Sequence, residues 1–465
     1  MELQHAGNSI TLRSLQKSLA AAGRSERATE YSQNAPDYGI MRGLELDLRR
    51  GGTGRHWLQT ASGGWVLCRV GEIRYFLLHR GLVAARLFRE FTMKVVAQRE
   101  SLAEMVQLAQ AVCPGRSARP ILENLLLECR DGGGTLMATD LEVGLRLHVP
   151  ELEVEVPGTT LLPARTMLAL LRELNDEEIR LESQGDRLLV LGEKSEFQFP
   201  TPDAMEFPEV PGYQAEAYHA FAARNLSEML RRTEYAVETE GTRFNLGGVY
   251  LELGDEKVTA VGTDGRRLAC QEGQARRVGG HRPSEDVIIP RRVVEIIQRI
   301  LSRESDDQEV KLAVAEGKIF VVTSSAVVSG RLVDARFPRW REVFPKAPEK
   351  VRVDLPVREF GSATRQASIV VDDKNPGIVY TFSSGKLVLS GRGASHGESR
   401  VELPIGYDGE EAMVRLNQRF ILDFLKVLGD EGTFTLKIWS EESPVLAETS
   451  DGYAYLMMPL VLGSN

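Results

Sequence analysis

Aromatic residues make up only 7% of this 465-residue sequence, and its four cysteines, Cys68, Cys113, Cys129 and Cys270, stand far apart without a CxxC pair. Scattered cysteines with no histidines at ligand spacing exclude a zinc ribbon or a disulfide framework and point to a reducing compartment, the cytoplasm. No run of about 18 apolar residues occurs and no signal-peptide pattern opens the chain, which argues against membrane insertion or secretion. HExxH and GxxxxGK[ST] are absent, and three of the seven histidines fall within the first 92 residues. Little is therefore available for nucleophilic, metal-hydrolytic or nucleotide chemistry, and no cofactor or metal is implied.

What is present is enough apolar material, 42% of residues, for two to four soluble domains. The net charge is −9, but residues 1–92 carry +5, with twelve arginines and the single Lys17, so the remainder carries −14. The first segment has weak periodicity and a glycine-rich patch at Gly51 and Gly54, and patterned alternation starts abruptly at MKVVAQRESL from Met93. Residues 1–92 thus read as an N-terminal extension, non-native or poorly ordered; a basic arm that contacts nucleic acid or a partner is the alternative.

The rest is a threefold repeat. LPARTMLALLREL from Leu162, IPRRVVEIIQRIL from Ile289 and LNQRFILDFLKVL from Leu416 align without gaps at a spacing of 127 residues, each with the period of a helix. Pro163 and Pro290 suit a first helical turn and Asn417 suits a cap. A second helix opens each repeat, at Arg99, Ala223 and Val357, and alternating runs with tight turns follow every helix. Proline-rich segments at 199–212 and 337–348 separate the repeats. The expected fold is α+β, with domains at 93–214, 215–346 and 347–465, each carrying helices on antiparallel sheets.

Positions seven apart on a helix lie about 20° from each other. Arg165 with Arg172, Arg292 with Arg299, and Arg419 with Lys426 are such pairs at matched positions in the repeats. The opening helices add Arg224 with Arg231 and Arg358 with Arg365, whereas the first repeat has Glu100 and Gln107 there. The opposite faces carry Met167 and Leu171, Val294 and Ile297, Ile421 and Phe424, so one face packs on a sheet and the other presents cations. Regular cations without a base-reading motif suit phosphate contact, which is sequence-independent and salt-sensitive; duplex DNA is the expected ligand.

Residues 93–462 resemble the bacterial DNA polymerase III beta subunit, the sliding clamp. The resemblance rests on MKVVAQRESL, RPILENLLLE from Arg119, TDLE from Thr139, VGTDGRRLA from Val261, GRLVDARFPRWREVFPK from Gly330 and MMPL from Met457. It implies a non-enzymatic processivity factor, three similar domains per chain, and a head-to-tail homodimer ring with helices lining the hole and sheets outside. It also implies DNA contacts at Arg116, Arg243 and Phe244, the last in a place where the family usually has tyrosine. A pocket between the second and third domains would take peptide motifs of the DNA polymerase III alpha subunit, the clamp loader and other clamp-binding proteins. That pocket maps to Leu246, Thr263, Gly265, Arg267, Leu268, Pro338, Val343, Met458, Pro459 and Leu460. Glu342 stands where relatives often carry a basic residue, and 463–465 extend past the usual end.

Three other readings compete. A metal-dependent phosphodiesterase would use Asp140 and Asp264 of the repeated Thr-Asp pairs, although such pairs are more often turn chemistry. A divergent clamp paralogue would keep the fold without processivity. A phosphate-binding scaffold would never encircle DNA.

Overall fold

The computed structural model describes residues 93–461 apart from 214–215, 240, 242–243, 373–375 and 394–395, with Phe244 by backbone alone, and the backbone of 46–51, 55–60, 65–69 and 72–73. The chain divides into two compact units, Met1–Arg89 and Glu90–Asn465. In the first, Leu46–Gly51, Arg55–Thr60, Trp65–Arg69 and Glu72–Ile73 form an antiparallel sheet in chain order, Leu46 opposite Thr60. Strands were not expected there, because the glycines between the first two strands blur the alternation; the rest of 1–92 lies outside the described residues.

In the second unit the repeats each give two helices: α1 (Arg99–Gln110) and α2 (Ala164–Glu173), α3 (Ala223–Glu234) and α4 (Arg291–Leu301), α5 (Val357–Ser368) and α6 (Gln418–Leu428). Pro163 and Pro290 sit one position earlier than the sequence indicated, at the cap, and the Asn417 side chain accepts from the Arg419 N–H at 3.0 Å. The helices pack as pairs within each repeat. Arg303, just after α4, reaches Glu104 of α1 at 2.6 Å, Arg292 of α4 donates to the Ala111 carbonyl just after α1, and Arg231 of α3 donates to the Val427 carbonyl of α6 at 2.7 Å. The six therefore form one row in the order α2, α1, α4, α3, α6, α5.

The sheets run across the repeat boundaries. Val143–Val149 of the first repeat pairs antiparallel with Ala326–Arg331 of the second, Leu145 opposite Val328, which merges their sheets into nine strands. Arg267–Gln274 pairs in the same way with Tyr453–Met457, Ala269 opposite Tyr455, and gives eight strands. The scarce aromatics gather at this second joint: Phe424 packs on Phe434, Tyr453 and Tyr455 with ring centroids 5.1–5.7 Å apart. The Tyr453 and Tyr455 hydroxyls donate to the Arg232 and Phe420 carbonyls, so the buried rings leave no polar group stranded.

A five-stranded sheet ends on Glu196–Pro200 and a four-stranded sheet ends on Gly397–Pro404. Phe199 and Pro200, read from sequence as linker, belong to that edge strand; their proline-rich continuation hid the short alternation.

In the second repeat His219 and His281 are buried against each other, Nδ1 to Nδ1 at 2.7 Å. The Val314 N–H donates to Nε2 of His281 at 3.0 Å, which leaves that ring's proton on Nδ1, facing the Nδ1 acceptor of His219. Nε2 of His219 then donates to the Gly254 carbonyl at 2.9 Å. This chain of bonds closes only when both rings are neutral, and burial holds both pKa values below the ordinary histidine value. The Arg277 guanidinium pushes His219 the same way, against the Gly254 carbonyl and Asp255. Because the folded state refuses protons that the unfolded chain accepts near pH 6.5, this stability is complete above that pH and is lost as pH falls, by up to about 1.4 kcal/mol per pH unit for each histidine. Thermal melts between about pH 7.5 and about pH 5.5 are expected to show a falling Tm, and a shallower fall in a His219→Gln, His281→Gln double variant; equal slopes would refute the pair's role.

Candidate nucleic-acid interface and partner pocket

The apolar stripes fix which way each helix faces. Met167, Leu168 and Leu171, then Val294, Ile297 and Leu301, then Ile421, Phe424 and Leu425 are buried. Arg165, Arg172, Arg224, Arg231, Arg292, Arg299, Arg358, Arg365, Arg419 and Lys426 are all exposed, as is Arg116 in the loop after α1. Helical geometry thus brings the sequence-predicted cations onto the free face of the helix row. Arg243 lies outside the described residues, and Phe244 starts a one-turn 3-10 helix, Phe244–Leu246.

The face is not purely cationic. Arg231 pairs with Glu228 at 2.9 Å, Arg224 with Asp306 at 3.8 Å and Arg292 with Glu295 at 4.0 Å. Exposed pairs of this kind contribute about 0–1 kcal/mol, so a phosphate competes readily for the guanidinium. In the first repeat, where the cation pair fails, Gln107 of α1 accepts from Arg172 of α2 at 2.9 Å, and α1 helps to orient its neighbour's arginine.

The Thr-Asp pairs are turns. The Thr139 hydroxyl donates to the Val143 carbonyl at 2.8 Å while Asp140 Oδ1 accepts the N–H groups of Glu142 and Val143. Thr263 and Asp264 repeat this with the Arg267 carbonyl and the Arg266 and Arg267 N–H groups. The carboxylates are occupied by backbone, as Asx turns require. Among the described residues no three His, Cys, Asp or Glu side chains group to hold a metal ion. Burial pushes the thiols of Cys113, Cys129 and Cys270 up to about 12, far from a thiolate nucleophile.

The second Thr-Asp turn borders the expected partner pocket. Arg267 ion-pairs with Asp264 at 3.0 Å and with Asp423 of α6 at 2.5 Å, donates to the Tyr235 carbonyl at 2.8 Å, and lies 4.7 Å from the Phe420 ring centroid. It ties the second repeat to the third. Leu246 and Leu268 are buried in a small cluster with Phe337 and Leu456, under Trp340, Phe344 and Trp439. Thr263 is also buried, whereas Gly265, Pro338, Val343 and Met458 are exposed and Pro459 and Leu460 half-buried. The Met458 N–H donates to the Arg266 carbonyl at 2.9 Å and the Leu460 N–H to the Arg415 carbonyl at 2.8 Å, which pins the tail across the turn. Glu342 is held by Arg339 at 2.9 Å.

Comparison with known proteins agrees with this arrangement. Models of the DNA polymerase III beta subunit match its N-terminal domain at 93–211, its central domain at 221–339 and its C-terminal domain at 341–461. The chain belongs to the DNA polymerase III beta subunit family. Similar relatives include the beta sliding clamps of Escherichia coli, 29% identical over 372 residues, and Proteus mirabilis, 30% identical over 376; each match covers 80% of this chain and all of the relative. The crystal structure of the Pseudomonas aeruginosa beta subunit is similar with a TM-score of 0.73 at 28% identity, over 80% of this chain and all of that one. Sliding clamps of this family are non-enzymatic processivity factors that form homodimer rings, bind DNA and engage polymerases and other clamp-binding proteins. No helix among the described residues is long and apolar enough to cross a membrane.

Sequence reasoning missed the sheet edges at Glu196–Pro200 and Gly397–Pro404 and the arginine ties at the second joint. Arg267 carried a signal only as part of VGTDGRRLA; nothing local announces that its partner, Asp423, lies 156 residues away.

Proposed function

We propose that this chain closes into a two-copy cytoplasmic ring around duplex DNA, with the exposed helix cations touching phosphate and the pocket between the second and third domains receiving partner peptides. Both joints within the chain use the same pairing, so the free Gly397–Pro404 edge, equivalent to Val143–Val149 and Arg267–Gln274, has one natural mate. That mate is the Glu196–Pro200 edge of a second copy, equivalent to Ala326–Arg331 and Tyr453–Met457. Phe197 and Phe199 on one edge, and Val401 and Leu403 on the other, are half-buried apolar residues suited to such a seam. Head-to-tail contacts of this kind close into rings.

The observation that carries the DNA assignment is the unbroken helix row with matched cation pairs on five of its six members. Phosphate contacts break without loss of a base-specific bond, so the ring slides. After loading onto nicked circular DNA by a bacterial clamp loader, the protein is expected to stay on the circle in high salt and to run off once the circle is cut. Dissociation from circle and line alike would leave a plain phosphate-binding protein.

A further inference from the structure

The two joints within the chain share a frame and differ in what lines it. At the first, the Arg331 N–H donates to the Glu142 carbonyl at 3.0 Å, the counterpart of the bond from Met458 to Arg266 at the second. Thr139, Leu141 and Val143 thereby occupy the places of Thr263, Gly265 and Arg267, and Arg331, Leu332 and Val333 those of Met458, Pro459 and Leu460. These six residues line a cleft of about 1180 Å³ between the first and second domains. Its volume is ample for several residues of an extended peptide.

The cleft has its own chemistry. Leu141 has φ +80°, a left-handed conformation that leucine rarely adopts, at the place where Gly265 has φ +82°. The residue is 52% exposed on the cleft wall, ready to pack against an incoming apolar group. Around it stand the exposed carboxylates of Glu142, Glu209, Glu285, Glu316 and Asp334, none of them ion-paired among the described residues, while Asp286 accepts from the Phe337 N–H at 2.8 Å. Lys318, Arg331 and Arg336 are the cations of the lining, so the acidic groups are in excess. At the second joint, by contrast, Asp264 and Glu342 are already paired with arginines.

We propose that this cleft is a second docking site, which takes an extended partner segment with a bulky apolar side chain flanked by lysine or arginine. The unpaired carboxylates supply charge complementarity and Leu141 supplies the apolar contact. For the kind of occupant, an extended peptide, the proposal rests on the partner-pocket reading of the second joint. Two partner segments would then engage one chain at once.

Fluorescence anisotropy on the full chain tests this with a fluorescein-labelled probe, Gly-Arg-Lys-Leu-Phe-Lys-Arg, and a counterpart in which every basic residue is glutamate. The basic probe is expected to bind at least about tenfold more tightly than the acidic one. Leu141→Gly changes no charge and suits the local backbone, so it should keep the fold and weaken the basic probe about tenfold. A Glu142→Lys, Glu285→Lys double variant should weaken it further. Val343→Asp alters only an exposed residue of the expected pocket at the second joint and should leave this probe unaffected. Equal affinity in the native chain and Leu141→Gly would reduce the binding to diffuse charge attraction and overturn the proposal. So would absence of binding up to about 1 mM. Loss confined to Val343→Asp would move the probe to the second joint, which upholds the partner-pocket reading and refutes the second site.

Discussion

Changing Arg165, Arg292 and Arg419 together to glutamate is expected to strip the protein from short linear duplex DNA, which holds it by phosphate contacts alone, while leaving its dimer intact. All three are exposed and open the second helix of their repeats, and the one tie they make between repeats, Arg292 to the Ala111 carbonyl, is backed by Arg303 to Glu104, so the fold should survive the change. In a two-copy ring the change removes six cations. The slope of log affinity against log salt falls by about 0.9 for each phosphate no longer neutralised, or by about 5 if all six touch the backbone. Equilibrium binding to a short linear duplex at several salt concentrations, with the dimer mass measured in parallel, reads both outcomes. Unchanged affinity and slope would remove the helix row from DNA contact.

The second large effect concerns the seam between copies. A Val401→Asp, Leu403→Asp variant is expected to be monomeric and unable to remain on circular DNA. Both side chains are half-buried in the isolated chain, so the monomer tolerates the change. In a closed seam each carboxylate would lie unpaired against apolar neighbours at a cost of about 3 kcal/mol, which weakens each of the ring's two seams by about four orders of magnitude. Sedimentation or light scattering at micromolar protein decides it. A dimer of unaltered affinity would mean that the copies meet elsewhere.

The repeat, the helix faces and the turn role of the Thr-Asp pairs were legible in the sequence because each is written in local spacing: 127 residues between matched helices, seven between arginines, two between Thr139 and the N–H that it accepts from Leu141. What escaped is non-local. The histidine pair joins residues 62 apart, and the Arg267 tie to Asp423 spans 156. Glu196–Pro200 alternates for only five residues and runs straight into prolines, so its place at the end of a sheet emerges only once its neighbours are fixed. The expected partner pocket came as a set of residues through a resemblance. That Leu246, Thr263 and Leu268 are buried, while Val343 and Met458 are exposed, required coordinates.

The two sheet joints within each chain are backed by a peptide connection and by side-chain ties such as Arg303 to Glu104 and Arg267 to Asp423. A seam between Gly397–Pro404 and Glu196–Pro200 would have no such tether. Mechanical load on a closed ring would therefore concentrate there, like strain on a hasp: a loader that pried the ring apart would need to unzip only one pair of edge strands, and the joints within each chain would stay shut.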